Sequence, residues 1–356
     1  MRICLIASSR FPINQPFAGG LESFTHAVVK ELVSRGHSVT LFAAPGSDPD
    51  LDVEMIVPEV LRLSEAARLD VSAMPTEWMR QHHAYLDLML GLAGQTEFDV
   101  VHNNSLHHLP LALSPLVRTP IVTTLHTPPT PWLESAVVFR APTTFFAAVS
   151  SATARAWSHA VESTVISNGV DTNLWDAGPG GPACVWTGRM VPEKAPHVAI
   201  DAARAAGFQI ALAGPVMDEK YFAAEVAPRL GDDARYCGHL DQQRLRSLVG
   251  SSAVAVVSSQ WEEPYGLVAA EALACGTPVA AFPRGGLVEV VRGDVGALAD
   301  QLTVEALARA ICSAAGRSRM AARKYAVEHH SLDSTVSGYE ALYRHAVHAA
   351  AGSFTE

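Results

Sequence analysis

Short, unbroken apolar runs alternate with amphipathic stretches along most of the chain. Residues 2–7, 38–43, 99–102, 120–125 and 145–149 lack the in–out alternation of half-exposed strands. They read instead as strands of a parallel sheet covered on both faces. Between the first two lie a glycine-containing loop, residues 17–22, and an amphipathic segment, residues 23–34. Strand, loop, helix and strand in that order make a βαβ unit. Residues 164–166 extend the series. A helix is expected over 76–92, with Trp78, Met79, Leu86 and Met89 on one apolar face, whereas residues 44–75 are rich in proline and acid and show little period.

The series then restarts. Residues 167–171, Ser-Asn-Gly-Val-Asp, form a tight turn in which Asn-Gly favours positive φ. Residues 176–182 are dense in glycine and proline, as domain linkers are. Beyond them, strands are expected at 183–187, 208–213, 254–257 and 279–282, with helices at 195–206, 242–250 and 267–274. Asp241 is placed to cap the second of these helices, while Gly276 and Pro278 end the third. The tail, residues 305–348, is helical, with Tyr339, Leu342 and Tyr343 on its apolar stripe. A chain of 356 residues exceeds one ordinary core, so two doubly wound α/β domains are expected, residues 1–175 and 183–330.

Charge narrows the partners. A net charge of −10 disfavours nucleic acid, which demands basic faces. Residues 1–175 carry ten Lys or Arg against sixteen Asp or Glu and no basic cluster, so docking to anionic lipid is disfavoured. The opening apolar run is too short for a signal peptide, and no apolar run is long enough to span a bilayer. The five scattered cysteines have neither metal-ligand spacing nor an even count, and read as reduced core residues of a cytoplasmic protein.

The chemistry gathers at residues 263–278. Gly266 allows an unusual backbone angle at a helix entry, and such an entry offers free N–H groups and a positive dipole end to a phosphate. Glu271, about two turns further on, is within reach of a ribose diol, and Glu263 lies on the sugar side of that phosphate. Arg189 and Lys194 follow a strand and supply a planar fork and a point charge, both suited to a diphosphate. His126 ends another strand, where open α/β sheets place ligands. Gly19-Gly20 lacks the full dinucleotide pattern but permits close backbone approach.

Glu263-Pro-Tyr-Gly-Leu through Glu271, with Gly276-Thr-Pro-Val, resembles the E-x7-E element of the retaining glycosyltransferases of family 4. Gly188-Arg189 with Lys194, Gly19-Gly20-Leu-Glu22, Asn168-Gly-Val-Asp171 and Gly285-Gly286-Leu-Val-Glu289 are similar to further family elements and fall in the family's order. Val288 stands where the family often has proline. The resemblance implies the GT-B fold: two Rossmann-like domains facing a cleft, with a terminal helix, residues 331–356, crossing back onto the first. It also implies a nucleotide-sugar donor, UDP- or GDP-linked, held at Gly19, Gly20, Arg189, Lys194, Leu240, Gly266, Leu267, Val268 and Glu271. His126 and Glu263 would meet the sugar, Leu240 lies in the segment that cradles the base, and the 76–92 helix borders the acceptor cleft. Retaining transfer to a soluble hydroxyl acceptor without a metal is therefore the expectation. A sugar-nucleotide epimerase, a phosphorylase of related architecture and a nucleotide-sugar-binding protein without catalysis remain alternatives.

Overall fold

The computed structural model describes residues 1–56 and 62–353. Seven strands, β1 (Arg2–Ile6), β2 (Ser38–Ala43), β3 (Val53–Met55), β4 (Val100–Asn103), β5 (Ile121–Leu125), β6 (Thr144–Ala148) and β7 (Thr164–Val165), form one parallel sheet. Their order is β3-β2-β1-β4-β5-β6-β7. A second parallel sheet contains β8 (Cys184–Thr187), β9 (Ile210–Ala213), β10 (Ala234–Tyr236), β11 (Val254–Val257), β12 (Val279–Ala281) and β13 (Gly296–Leu298), ordered β10-β9-β8-β11-β12-β13. In each sheet the order reverses beside its first strand, between β1 and β4 and between β8 and β11. Ligands of open α/β sheets bind beyond the strand ends at such points. The loops after β1, β8 and β11 accordingly face one cleft.

The apolar runs are buried as their pattern requires: Ile3 to Ile6 of β1 and Val279 to Ala281 of β12 are wholly covered. The helix Leu267–Ala274 buries Ala269, Ala270, Ala272, Leu273 and Ala274 between β11, β12 and the helix Arg319–His329. Small side chains on that face let three elements approach closely. The last helix, Leu332–Ser353, places Val336, Tyr339, Tyr343 and Ala346 in the core of the first sheet. Its tyrosines join a buried polar chain. The Tyr343 hydroxyl donates to His102 Nδ1 at 2.7 Å, His102 Nε2–H to Thr124 Oγ1 at 2.8 Å, and Thr124 to the Tyr339 oxygen at 3.1 Å. Every member has a hydrogen-bond partner, so the chain favours one docking register for the helix.

The polypeptide passes between the two sheets twice, and the two passages are tied together. Val170 N–H donates to the His330 carbonyl (2.8 Å) and Leu332 N–H to that of Val170 (2.9 Å). Gly169 does not take the positive φ expected of an Asn-Gly turn. A Cβ there would lie 2.3 Å from the Ser331 carbonyl oxygen, so glycine is required by close packing of the two passages. The Gly-Pro stretch beyond it is likewise pinned, with Gly178 against the Gly250 backbone and Gly181 against the Ser251 carbonyl.

Three other expectations are revised. The low-period stretch holds β3 and a short helix, Glu65–Arg68, capped by Ser64, while residues 57–61 of that stretch fall outside the described residues. In the helix Thr76–Ala93 only Ala84, Tyr85, Met89 and Leu92 are buried, and Trp78, at its first turn, is not in the core. Cys4, Cys184 and Cys275 are core thiols, but Cys312 is exposed. Among the described residues no helix is long and apolar enough to cross a membrane.

Candidate active site

The loop after β11 enters the helix Leu267–Ala274 through Gly266, whose φ is +103°. That backbone angle excludes ordinary side chains, and a Cβ would also meet Leu287 Cδ2 at 2.5 Å. The carbonyl of Gly266 accepts from Ala269 and Ala270 N–H, and among the described residues no backbone bond occupies the N–H groups of Leu267 and Val268. These two donors open onto the cleft.

Behind this loop, Gly285 and Gly286 act as a backing. A Cβ on Gly285 would lie 2.1 Å from the Glu263 carbonyl oxygen, and Gly286 N–H donates to that oxygen at 2.7 Å. The Gly-Gly pair therefore fixes where Glu263 stands. The Glu263 carboxylate is buried and ion-paired with Lys194 Nζ, which also lies 5.1 Å from the centre of the Trp261 ring. Lys194 comes from the loop after β8, clamped by Ser258, whose hydroxyl reaches the Lys194 and Ala195 carbonyls.

Glu271 projects from the second turn of the helix into the cleft, without a hydrogen-bond partner for its carboxyl among the described residues. Burial pushes its carboxyl up to about 8. A carboxyl in this setting is short of donors, and a vicinal diol supplies two. His126 closes β5 and donates its Nε2–H to Asn104 Oδ1 at 2.5 Å. The Asn104 amide in turn donates to Thr25 Oγ1, and Thr25 to the Leu21 carbonyl (2.7 Å each). Burial lowers the imidazole to about 3, so His126 is neutral at physiological pH. This chain links the histidine to the first turn of the helix Gly20–Ser34.

That helix start crosses the cleft. The Gly20 Cβ position is 3.2 Å from Leu267 Cδ1, and that of Gly19 is 3.9 Å from Arg189 Cδ. Gly19, Gly20, His126, Arg189, Lys194, Leu240, Glu263, Gly266, Leu267, Val268 and Glu271 thus line a single cleft of about 340 Å³, although they come from loops spread over some 250 positions. Among the described residues no group of three His, Cys, Asp or Glu side chains could hold a metal ion.

Three lining residues are not among the site residues expected from the sequence. Glu22 is buried, its carboxyl raised by burial and drawn back down by Arg189 and Arg10. Its place in Gly-Gly-x-Glu was the available signal. Trp261 Nε1 and Asn168 Oδ1 are buried at the cleft without hydrogen-bond partners among the described residues. In the sequence only the proximity of Trp261 to Glu263 points to the first, and Asn168 belongs to the tight turn at 167–171.

Two rims of the cleft are bridged. His239 Nε2–H donates to the Phe17 carbonyl at 2.9 Å, and Gln242 N–H to Gln15 Oε1 at 3.0 Å. On the other rim, Ser150 and Thr153 donate to the Pro264 carbonyl, and the Glu289 carboxylate accepts from Ser151 and Ala152 N–H at 2.9 and 2.7 Å.

Comparison with known proteins decides the family. One model, Glycosyltransferase Family 4, matches residues 18–174, and a second, Glycosyl transferases group 1, matches residues 179–326. The chain is a glycosyltransferase of family 4. It is 27% identical to a glycogen synthase of Mycobacterium tuberculosis, over 91% of this chain and 90% of that protein. It is also 27% identical to a D-inositol 3-phosphate glycosyltransferase of Mycolicibacterium smegmatis, over 95% and 90%. The fold matches that of the Anabaena protein HepE in complex with UDP and glucose, with a TM-score of 0.74, 21% identity and coverage of 96% and 99%. A starch synthase IV catalytic domain of Arabidopsis thaliana, bound to ADP and acarbose, matches with a TM-score of 0.72 and 15% identity. The GT-B architecture follows from the two sheets and these neighbours.

Proposed function

We propose that this glycosyltransferase moves a sugar from a nucleotide-diphosphate donor to a hydroxyl acceptor, with retention and without a metal ion. The observation that carries the reading is the convergence, in one cleft, of two cations, two free helix N–H groups and two differently placed glutamates. Arg189, Lys194 and the N–H groups of Leu267 and Val268 meet the diphosphate and take up the charge that grows on it as the bond to the sugar breaks. They supply the stabilisation that a divalent ion provides elsewhere. Glu271 accepts the ribose hydroxyls, and Leu240 borders the base. Glu263, held by Lys194 and the Gly285-Gly286 backing, accepts hydroxyls of the donor sugar. Neutral His126 stands on the sugar's other side.

A covalent glycosyl-enzyme needs a free carboxylate nucleophile with a partner acid. Glu263 is ion-paired and Glu271 stands at the foot of the phosphate-binding helix, so the cleft favours attack on the face the diphosphate leaves. The bond from the anomeric carbon to the diphosphate breaks, that to the acceptor oxygen forms, and a diphosphate oxygen takes the acceptor's proton. The acceptor is read as soluble, from the acidic balance of residues 1–175. UDP- and GDP-sugars incubated with the enzyme in EDTA test this. Proton NMR should show the first released sugar keeping the donor's anomeric form. The inverted anomer, or turnover only with added Mg²⁺ or Mn²⁺, contradicts it.

A further inference from the structure

Thr25 and Asn104 are wholly buried and stand behind the cleft, not in its lining, yet both bear on His126. They form a relay whose direction is set from its far end. The Leu21 carbonyl can only accept, and the Thr25 hydroxyl lies 2.7 Å from it, one helical turn away. Two oxygens that close need a hydrogen between them, and the hydroxyl supplies it. With that hydrogen engaged, Thr25 Oγ1 faces Asn104 as an acceptor, so the group 2.7 Å from it is the Asn104 NH2. The amide oxygen, Oδ1, is thereby turned to His126 Nε2. A carbonyl oxygen cannot donate either, so Nε2 carries a proton.

The relay is anchored at both ends. Asn104 N–H donates to the Ile6 carbonyl, at the end of β1, at 2.9 Å, and Thr25 belongs to the helix Gly20–Ser34. The neighbouring Phe24 meets the His126 ring edge-on, with centroids 5.7 Å apart. The imidazole is thus held both at Nε2 and against a second ring. Its other nitrogen, Nδ1, has no hydrogen-bond partner among the described residues. Burial lowers the ring to about 3, so no second proton joins the first at neutral pH. In a neutral imidazole with Nε2 protonated, Nδ1 is a lone pair and can only accept.

We propose that Asn104 and Thr25 are positioning residues that lock His126 in its Nε2–H tautomer, so that the ring offers the donor sugar an acceptor and never a hydrogen. The inference rests on the glycosyl-transfer reading above and adds a requirement on the donor. The sugar must give a hydroxyl hydrogen to His126, because a group there that only accepts would set lone pair against lone pair. Packing alone does not distinguish the two tautomers, which have the same shape. The relay does, through a hydroxyl hydrogen one helical turn from a backbone carbonyl.

Nitrogen NMR of enzyme carrying 15N-histidine, recorded without donor, tests the proposal, with His126→Gln identifying the resonances. Wild type should show a protonated Nε2 and a bare Nδ1 at His126. Thr25→Val nearly keeps the shape but removes the hydroxyl, which frees the Asn104 amide to flip. Both tautomers should then appear, and turnover of UDP- or GDP-hexoses should fall about tenfold, while UDP and GDP thermal shifts stay as in wild type. Thr25→Ser returns the hydroxyl and should return both the tautomer and the rate. A bare Nε2 in wild type overturns the proposal. So does Thr25→Val with wild-type tautomer and rate, or Thr25→Ser as impaired as Thr25→Val. Should Thr25→Val lose the nucleotide shift through misfolding, the wild-type spectrum decides alone. The expected tautomer in a wild type that turns over no nucleotide sugar counts against the transfer reading instead.

Discussion

Glu271 is the residue with the clearest pH dependence. Its carboxyl is raised from the ordinary 4.5 to about 8 by burial. A group raised on folding contributes stability that is present below its unfolded value and lost as pH rises through its folded value. Glu271→Gln should therefore match wild type near pH 4 and melt at a higher temperature than wild type at pH 9. Its affinity for the donor should fall by about tenfold, the cost of disturbing one or two hydrogen bonds to the ribose hydroxyls. Melting curves across pH, paired with donor titrations, check both signs. Glu263→Gln should separate the two halves of the donor: UDP or GDP binds as in wild type, whereas the sugar-linked nucleotide loses its advantage and transfer slows. Equal losses for both ligands would place Glu263 on the phosphate side. The spacing of Glu263 and Glu271, and of Arg189 and Lys194, was legible in the chain. The burial of Glu22 beside Arg189 was not, because that contact joins the loops after β1 and β8 across the cleft.

At the scale of elements, the active loop depends on backbone that tolerates no side chain. Gly266→Ala meets both a φ of +103° and Leu287 at 2.5 Å, and should cost about 1–3 kcal/mol of stability. It should also misalign the free N–H groups and weaken nucleotide binding. Denaturant titration and calorimetry on the same preparation check the pair of effects, and a variant stable as wild type with unchanged affinity contradicts the account. The strands and the helices 242–250 and 267–274 were readable because unbroken apolar runs and caps mark them, and the Asp241 cap accepts from Arg244 N–H at 2.8 Å. The edge strands β3 (Val-Glu-Met) and β10 (Ala-Arg-Tyr) and the last strand β13 (Gly-Ala-Leu) lack an unbroken run of large apolar residues, so no pattern registers. Gly169 shows the other limit. Its turn chemistry was visible, but its need for close approach to Ser331 depends on a segment more than 150 positions away.

In the whole molecule, contacts at both rims bridge the cleft, and the two passages between the sheets pair at Val170 and Ser331. Glu289 is the sharpest of these contacts, because its carboxylate caps the first turn of the helix Ser151–Trp157 from the opposite domain. Glu289→Ala should open the cleft, raising the radius of gyration seen by small-angle scattering and lowering kcat, with nucleotide affinity little changed. An unaltered scattering profile and kcat would deny the latch a role. Two parallel sheets could be read from the chain, but not that Gln15, Phe17 and Pro264 would close the cleft, since rim contacts leave no periodic trace. The central claim is that paired cations and helix N–H groups bind the donor diphosphate without a metal. Calorimetric titration of UDP and GDP in EDTA, on wild type, Arg189→Ala and Lys194→Ala, tests it most directly. At least one diphosphate should bind wild type in EDTA, and each substitution should weaken that binding by about tenfold or more. Binding that appears only with added Mg²⁺, or variants that bind as wild type does, would contradict the claim.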